Sequence, residues 1–246
     1  MGRNQRRSHN ILITGATDGI GLLLAKAYAA RGHQILATGR RSVADDEAFF
    51  GTPSITYVTA DQSDPEHAAQ TITSTLSELG WKELDLVVLN GAVGWVGPPE
   101  EESTGKISEQ IDINFKAPVH FALALSPLLF QAKGRLVFIG SSAITKGRGG
   151  FATYCATKAA LDGLVRSLAE EWRGRASVSI LHPGPTRTEM LRKAGVDPGW
   201  KRLLFTAPKR VVKAIQVSIR RGEQRRILSR FFCFRCRFTW FQEGRL

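Results

Sequence analysis

A chain of 246 residues with 43% hydrophobic and 23% charged residues has the length and composition of one globular α/β domain, which excludes collagen-like and disordered material. Its net charge of +12 lies entirely in Leu191 to Leu246, where 15 Lys or Arg face only Asp197, Glu223 and Glu243; the first 190 residues carry 19 of each sign. The body is therefore charge-balanced, no specific nucleic-acid partner is expected, and only the C-terminal part is basic.

Residues 1–9 read as a basic N-terminal extension. The apolar run that begins at Ile11 is broken at once by Thr14 and Gly15, so no signal-peptide core is expected. Short apolar runs then alternate with helical patterns, the mark of βαβ units and a parallel sheet. The expected strands are Asn10 to Thr14, Gln34 to Thr38, Ile55 to Thr59, Leu84 to Leu89, Arg135 to Ile139 and Val178 to Leu181. Helices are expected to begin near Gly19, Pro65, Ser103 and Thr153, where apolar residues recur at three and four positions. The longest apolar stretch, Phe121 to Phe130, falls short of the roughly 20 residues that span a membrane.

After Leu181 the pattern loosens through Pro183, Gly184, Pro185, Pro198 and Gly199, and Leu191 to Ala207 reads as a loop-rich lid. A helix over Pro208 to Arg221 and a last strand at Arg226 to Ser229 complete a single domain over residues 10–230. Residues 231–246 form a tail in which arginines interleave with phenylalanines and Trp240. Such a tail suits contact with an anionic membrane surface, stacking with nucleic acid, or plain solvation. Cys155, Cys233 and Cys236 are too few for a disulfide framework and fit a reducing, cytoplasmic setting. Cys233 and Cys236 lack the partners of a zinc shell, and none of the five histidines forms a metal pair, so no metal is expected. His182 reads as a packing or gate residue.

Two patterns carry chemistry. Thr14-Gly15-Ala16-Thr17-Asp18-Gly19-Ile20-Gly21 follows a strand and opens a helix, so its backbone can turn tightly and point helix-end N–H groups at a pyrophosphate. Tyr154 and Lys158 stand four apart, which puts them on one helix face; an ammonium beside the phenol would favour its ionised form and let it exchange protons near neutral pH. Ser141 lies thirteen residues upstream of Tyr154.

The ordered set of these motifs, with Asn90-Gly91-Ala92 and Asn114 between them, resembles the short-chain dehydrogenase/reductase family from about Ile11 to Met190. The resemblance implies a single doubly wound Rossmann-type parallel sheet with helices on both faces. It also implies an oxidoreductase moving hydride between a nicotinamide cofactor and a carbonyl or secondary alcohol, acting on a small-molecule ketone or alcohol and able to form a homo-oligomer. In that family Tyr154 would be the general acid/base, Lys158 would lower its pKa and hold the nicotinamide ribose, Ser141 would bind the substrate oxygen, and Asn114 would hold a water. Cofactor contacts would come from Thr14, Gly15, Thr17, Asp18, Gly19, Ile20 and Gly21, from Asp61 near the adenine, from Asn90, Gly91 and Ala92, and from Pro183, Gly184 and Thr188 beside the carboxamide. Gly91 and Val93 depart from the family's Asn and Gly.

At the end of the second strand Gly39 stands where an acid would bind the ribose 2′-hydroxyl of NAD(H), and Arg40 follows, able to meet an extra phosphate. NADP(H) is therefore favoured, with Asp18 pulling towards NAD(H). The substrate pocket is expected from Val93 to Val96, Ile144 to Phe151 and Gly195 to Phe205; Trp95, Phe151, Trp200 and Phe205 suggest an apolar wall or else belong to the core. A non-catalytic cofactor-binding regulator or scaffold is the rival reading, and the intact set Asn114, Ser141, Tyr154 and Lys158 weighs against it.

Overall fold

The computed structural model describes residues 7–42, 52–145, 147–187 and 205–228. Seven strands form one all-parallel sheet: β1 (Asn10–Ile13), β2 (Gln34–Gly39), β3 (Ile55–Thr59), β4 (Leu86–Leu89), β5 (Arg135–Ile139), β6 (Ser177–Pro183) and β7 (Arg225–Leu228). Their spatial order is β3-β2-β1-β4-β5-β6-β7. The chain runs outward from β1 to β3, then returns to β4 and runs outward the other way. That reversal between β1 and β4 opens a crevice at the carboxyl ends of the strands, where open parallel sheets bind ligands.

Among the described residues six α-helices cover the sheet: α1 (Gly19–Ala29), α2 (Pro65–Glu78), α3 (Thr104–Ile111), α4 (Ala117–Ala132), α5 (Ala152–Glu171) and α6 (Pro208–Arg221). Side chains alternate across each strand, so neighbours face opposite layers. Leu12, Leu36, Leu136 and Phe138 point to one core with Ile72, Phe121, Leu125, Leu161 and Val165 from α2, α4 and α5. Ile11, Ile13, Ile35, Val88 and Val137 point to the other, with Leu24 and Tyr28 of α1 and Val211 and Ile215 of α6. Two buried layers of this kind are what make the strands read as continuous apolar runs.

Helix starts follow their caps. Asp64 accepts from the His67 N–H ahead of Pro65, and Ser103 accepts from the Lys106 N–H. Gly222, at φ 70°, ends α6 in the left-handed conformation that suits glycine. The helix expected from Ser103 is interrupted: Asp112–Lys116 forms a π-turn between α3 and α4. Together Thr104–Ala132 is long and apolar enough, on length and composition, to cross a membrane, which the shorter stretch Phe121 to Phe130 had not suggested. Here its apolar face, Phe121, Ala122, Leu125 and Leu129, is buried in the domain core. Most of the lid, the tail with Cys233 and Cys236, Trp200 and Thr188 lie outside the described residues. Of the lid, Thr206 bridges to Thr186.

Two neighbours on α4 separate core from surface: Phe121 is 1% exposed and Leu123 59% exposed. Phe121→Ala should cost about 3–5 kcal/mol of unfolding free energy, whereas Leu123→Ala should stay within about 0.5 kcal/mol, as read by urea denaturation.

Candidate functional site

The crevice is a cleft of about 570 Å³ that runs from the β1–α1 turn to the start of α5. Its first wall is built by backbone contact. Gly15, at φ 60°, lies so close to Gly91 that a Cβ would fall 2.5 Å from the Gly91 Cα, and a Cβ on Gly21 would fall 2.2 Å from the Gly15 carbonyl oxygen. The Asn90 side chain locks this packing, its Nδ2 donating to the carbonyls of Gly15 at 2.9 Å and Thr14 at 3.3 Å. Thr14 answers with Oγ1, which accepts from the N–H groups of Asn90 and Gly91. Gly91 in turn leaves room for buried Gln62, whose Oε1 would be 1.8 Å from any Cβ there.

The structure thus accounts for the glycine at position 91, and it divides the expected cradle in two. Gly15, Thr17, Asp18, Gly19 and Ile20 line the cleft, as do Asn90, Gly91 and Ala92. Thr14 and Gly21 do not; they hold the turn from behind. Asp18 caps α1, its carboxylate accepting from the Gly19 N–H at 2.5 Å. Arg40 lines the cleft at the end of β2, and Asp61 lines it at the end of β3 with one carboxylate oxygen accepting from the Ser63 N–H at 3.0 Å. Pro183 and Gly184 complete this wall from β6, and the Gly184 N–H donates to the Leu228 carbonyl.

At the far end, α5 places Tyr154 and Lys158 one turn apart, both facing the cleft and nearly buried. The phenol and the Ser141 side chain, at the end of β5, line the same part of the cleft, near enough for Ser141 to lower the phenol's pKa. Lys158 Nζ donates to the Ile139 carbonyl at 3.1 Å and lies 5.9 Å from the centre of the Tyr154 ring. Burial pushes the Tyr154 phenol above its ordinary value; Ser141 draws it part of the way back and the Cys155 thiol adds a smaller upward push. The same burial lowers Lys158 from 10.5 to about 8. In the free chain the phenol is therefore shifted upward, opposite to the expectation from its neighbouring ammonium, because desolvation outweighs a charge pinned on a carbonyl.

Asn114 is fully buried in the π-turn and does not line the cleft. Its Oδ1 accepts from the Val93 N–H, and its Nδ2 donates to the Val93 carbonyl and to Thr157 Oγ1. Both Nδ2 hydrogens are thereby used, and Oδ1 keeps one acceptor site. Of the expected substrate segments, Val93, Gly94, Thr145, Gly147, Arg148 and Phe151 line the cleft. Trp95 does not; its ring lies against Gly97, and the Lys106 ammonium sits over it, 5.4 Å from the ring centroid. Gln62, Glu109 and Thr186 also line the cleft and were not singled out from the sequence. Only Gln62, next to Asp61 at a strand end, carried a positional signal. Among the described residues no group of His, Cys, Asp and Glu could hold a metal ion.

Comparison with known proteins matches residues 9–198 to the short chain dehydrogenase family. The chain is 33% identical over 196 residues to the uncharacterized oxidoreductase YciK of Escherichia coli, covering 75% of this chain and 76% of that one. It is 33% identical over 188 residues to 11-beta-hydroxysteroid dehydrogenase 1A of Arabidopsis thaliana, covering 73% of this chain; it spans about half of that relative, 53% of its length. A short-chain dehydrogenase from Sphingobium yanoikuyae, solved in complex with NADPH, superposes with a TM-score of 0.75 at 26% identity, covering 89% of this chain and 87% of that one.

The depressed Lys158 value has a sign that can be checked. A lysine whose folded value lies below its unfolded one destabilises the fold; the penalty is fully present below pH 8 and fades as pH rises from about 8 past 10.5. Lys158→Met should therefore raise the unfolding free energy at pH 7, on the order of 2–3 kcal/mol, with the gain over wild type shrinking towards pH 10. Paired thermal melts across pH 7–10 would read this difference directly.

Proposed function

The chain belongs to the short-chain dehydrogenase/reductase family, a family of oxidoreductases, and from that premise we propose that it is an NADP(H)-dependent enzyme acting on a carbonyl or secondary alcohol. One observation carries the reading: Tyr154, with Ser141 beside it and Lys158 one turn behind, faces the same cleft as the glycine turn at the start of α1. The residues fit a dinucleotide. The turn approaches with bare backbone, the helix end favours negative charge, and the cleft connects that turn to the phenol.

When bound, the nicotinamide cofactor supplies or accepts the hydride. The chain's part is to place the reacting oxygen and handle its proton. Ser141 and Tyr154 together hold the substrate oxygen, and Tyr154 gives it a proton in reduction or takes one in oxidation. A neutral, upward-shifted phenol suits the donor role, since its proton stays in place until charge develops on the substrate oxygen. Lys158, held on the Ile139 carbonyl, keeps a cation beside the ring and has donors left for a ribose hydroxyl. Asn114 fixes Val93, which lines the cleft, and Thr157, which donates to the Tyr154 carbonyl.

Arg40 at the cleft edge and Gly39 in place of an acid support NADP(H), as does the NADPH bound by the Sphingobium relative. Gly39 has a further reason to lack a side chain, because a Cβ there would meet Thr17 Cγ2 at 2.5 Å.

Tyr154→Phe should abolish turnover of ketones with NADPH, by at least about a hundredfold, while leaving the cofactor dissociation constant within about twofold. Absorbance assays over a carbonyl panel and fluorescence titration of NADPH measure the two; retained activity would refute the mechanism. Arg40→Ala should raise the KM for NADPH about tenfold and leave that for NADH nearly unchanged. A wild-type chain that prefers NADH would count against Arg40 as the selector.

A further inference from the structure

His182 is fully buried at the end of β6, directly before the Pro183–Gly184 turn. Its Nε2 lies 2.9 Å from Asp162 Oδ1, which also accepts from Arg225 Nε at 2.7 Å. Burial keeps the imidazole neutral by lowering its pKa, against the pull of Asp162. A carboxylate only accepts, so Nε2 carries the hydrogen and Nδ1 is bare. Nδ1 faces the Ser141 backbone without a well-formed hydrogen bond. The ring packs so tightly on Gly140 that a Cβ there would fall 2.4 Å from Nδ1.

Asp162 stands four residues beyond Lys158 and eight beyond Tyr154, on the same face of α5. That face therefore grips the end of β5 twice. Lys158 holds the Ile139 carbonyl, and Asp162, through the imidazole, bears on Gly140. An apolar ring could fill the same space without a buried polar nitrogen and its desolvation cost. What the imidazole adds is direction, since its hydrogen bond to Asp162 fixes the ring plane against the strand.

We propose that His182 is a positioning residue: clamped by Asp162, its ring sets how far Gly140 and Ser141 stand from α5, and thereby how the Ser141 hydroxyl meets the Tyr154 phenol. The proposal rests on Tyr154 as the proton donor. Around the phenol the titratable groups are Lys158 and Cys155; around the imidazole they are Asp162 and Arg225, with Arg166 Nε 4.0 Å from Asp162 Oδ2.

The test compares full-length wild type with His182→Phe, His182→Gln and Asp162→Asn for kcat, KM, NADPH dissociation constant and the pH profile of alcohol oxidation. His182→Phe and Asp162→Asn should lower kcat at least about tenfold, because small displacements of a catalytic group are costly, with NADPH binding within about twofold of wild type. His182→Gln, whose amide can still reach Asp162, should recover most of the loss. The pH midpoint of oxidation should also move up in His182→Phe and Asp162→Asn, since a displaced Ser141 no longer holds the phenol down. A looser fold alone would not shift that midpoint. Wild-type kcat and midpoint in both variants would overturn the proposal, as would losses that track cofactor binding and thermal stability. Should His182→Phe not fold, Asp162→Asn decides alone. No turnover in wild type would instead overturn the proton-donor reading and this proposal with it.

Discussion

The hydrogen bond from Lys158 to the Ile139 carbonyl holds a charged group inside the protein at the point where α5 meets the end of β5. A buried ammonium with one neutral acceptor is an expensive arrangement, and the drop of its pKa to about 8 measures that expense. Everything nearby is arranged to keep the group in place. Ile139 and Ser141 flank a glycine because His182 occupies the space a side chain would need, and Tyr154 is oriented by Ser141 on one side and by the turn of helix shared with Lys158 on the other.

At the opposite end of the cleft the constraint is close backbone approach. Gly15, Gly21 and Gly91 are each forced by a different neighbour: Gly91 backbone, Gly15 carbonyl and Gln62 side chain. Asn90 and Thr14 cross-link these segments by hydrogen bonds that satisfy buried backbone groups. The two ends are joined through rigid strands, since β1 and β4 pair directly and β4 pairs with β5. The spacing between the glycine turn and the end of β5 is thus held by paired strands.

Much of this was legible in the chain because two-sided burial writes continuous apolar runs. All six expected strands up to Leu181 match within a residue or two of each end, and α6 spans the residues expected of it. Leu84, the expected start of the fourth, is buried but precedes β4 by two residues. The π-turn at Asp112–Lys116 left no trace, because its residues fit a regular helix by propensity and the extra residue is imposed by Asn114 bonding to Val93 and Thr157, partners far away in sequence. The same holds for the Tyr154 pKa. Spacing on a helix reveals a neighbouring charge but not the depth of burial, and burial decides the sign. Trp95 stayed open between wall and core for a related reason: aromatic content marks burial, but whether the ring faces the cleft or Gly97 depends on the turn that carries it.

A sequence that specifies one fold satisfies its local rules nearly everywhere, and departures concentrate where function needs them. Here they cluster at the end of β5 and the first turns of α5. A lysine is buried without a carboxylate, a histidine is buried with one ring nitrogen unsatisfied, and a helix is widened by one residue to seat an asparagine. Each is unfavourable for folding alone, and none is required by the packing of the two apolar cores. Lys158 and His182 both bear on the strand end that carries Ser141, and Asn114 ties Val93 to Thr157 beside it. The stability given up is local and bears on one hydroxyl pair, while the outer wall of the cleft, built by the turn at Gly147 to Gly150, obeys ordinary loop chemistry and is free to vary with the molecule it meets. Conserving the angle between two hydroxyls while leaving that wall unconstrained is how one fold can keep a single reaction across many substrates.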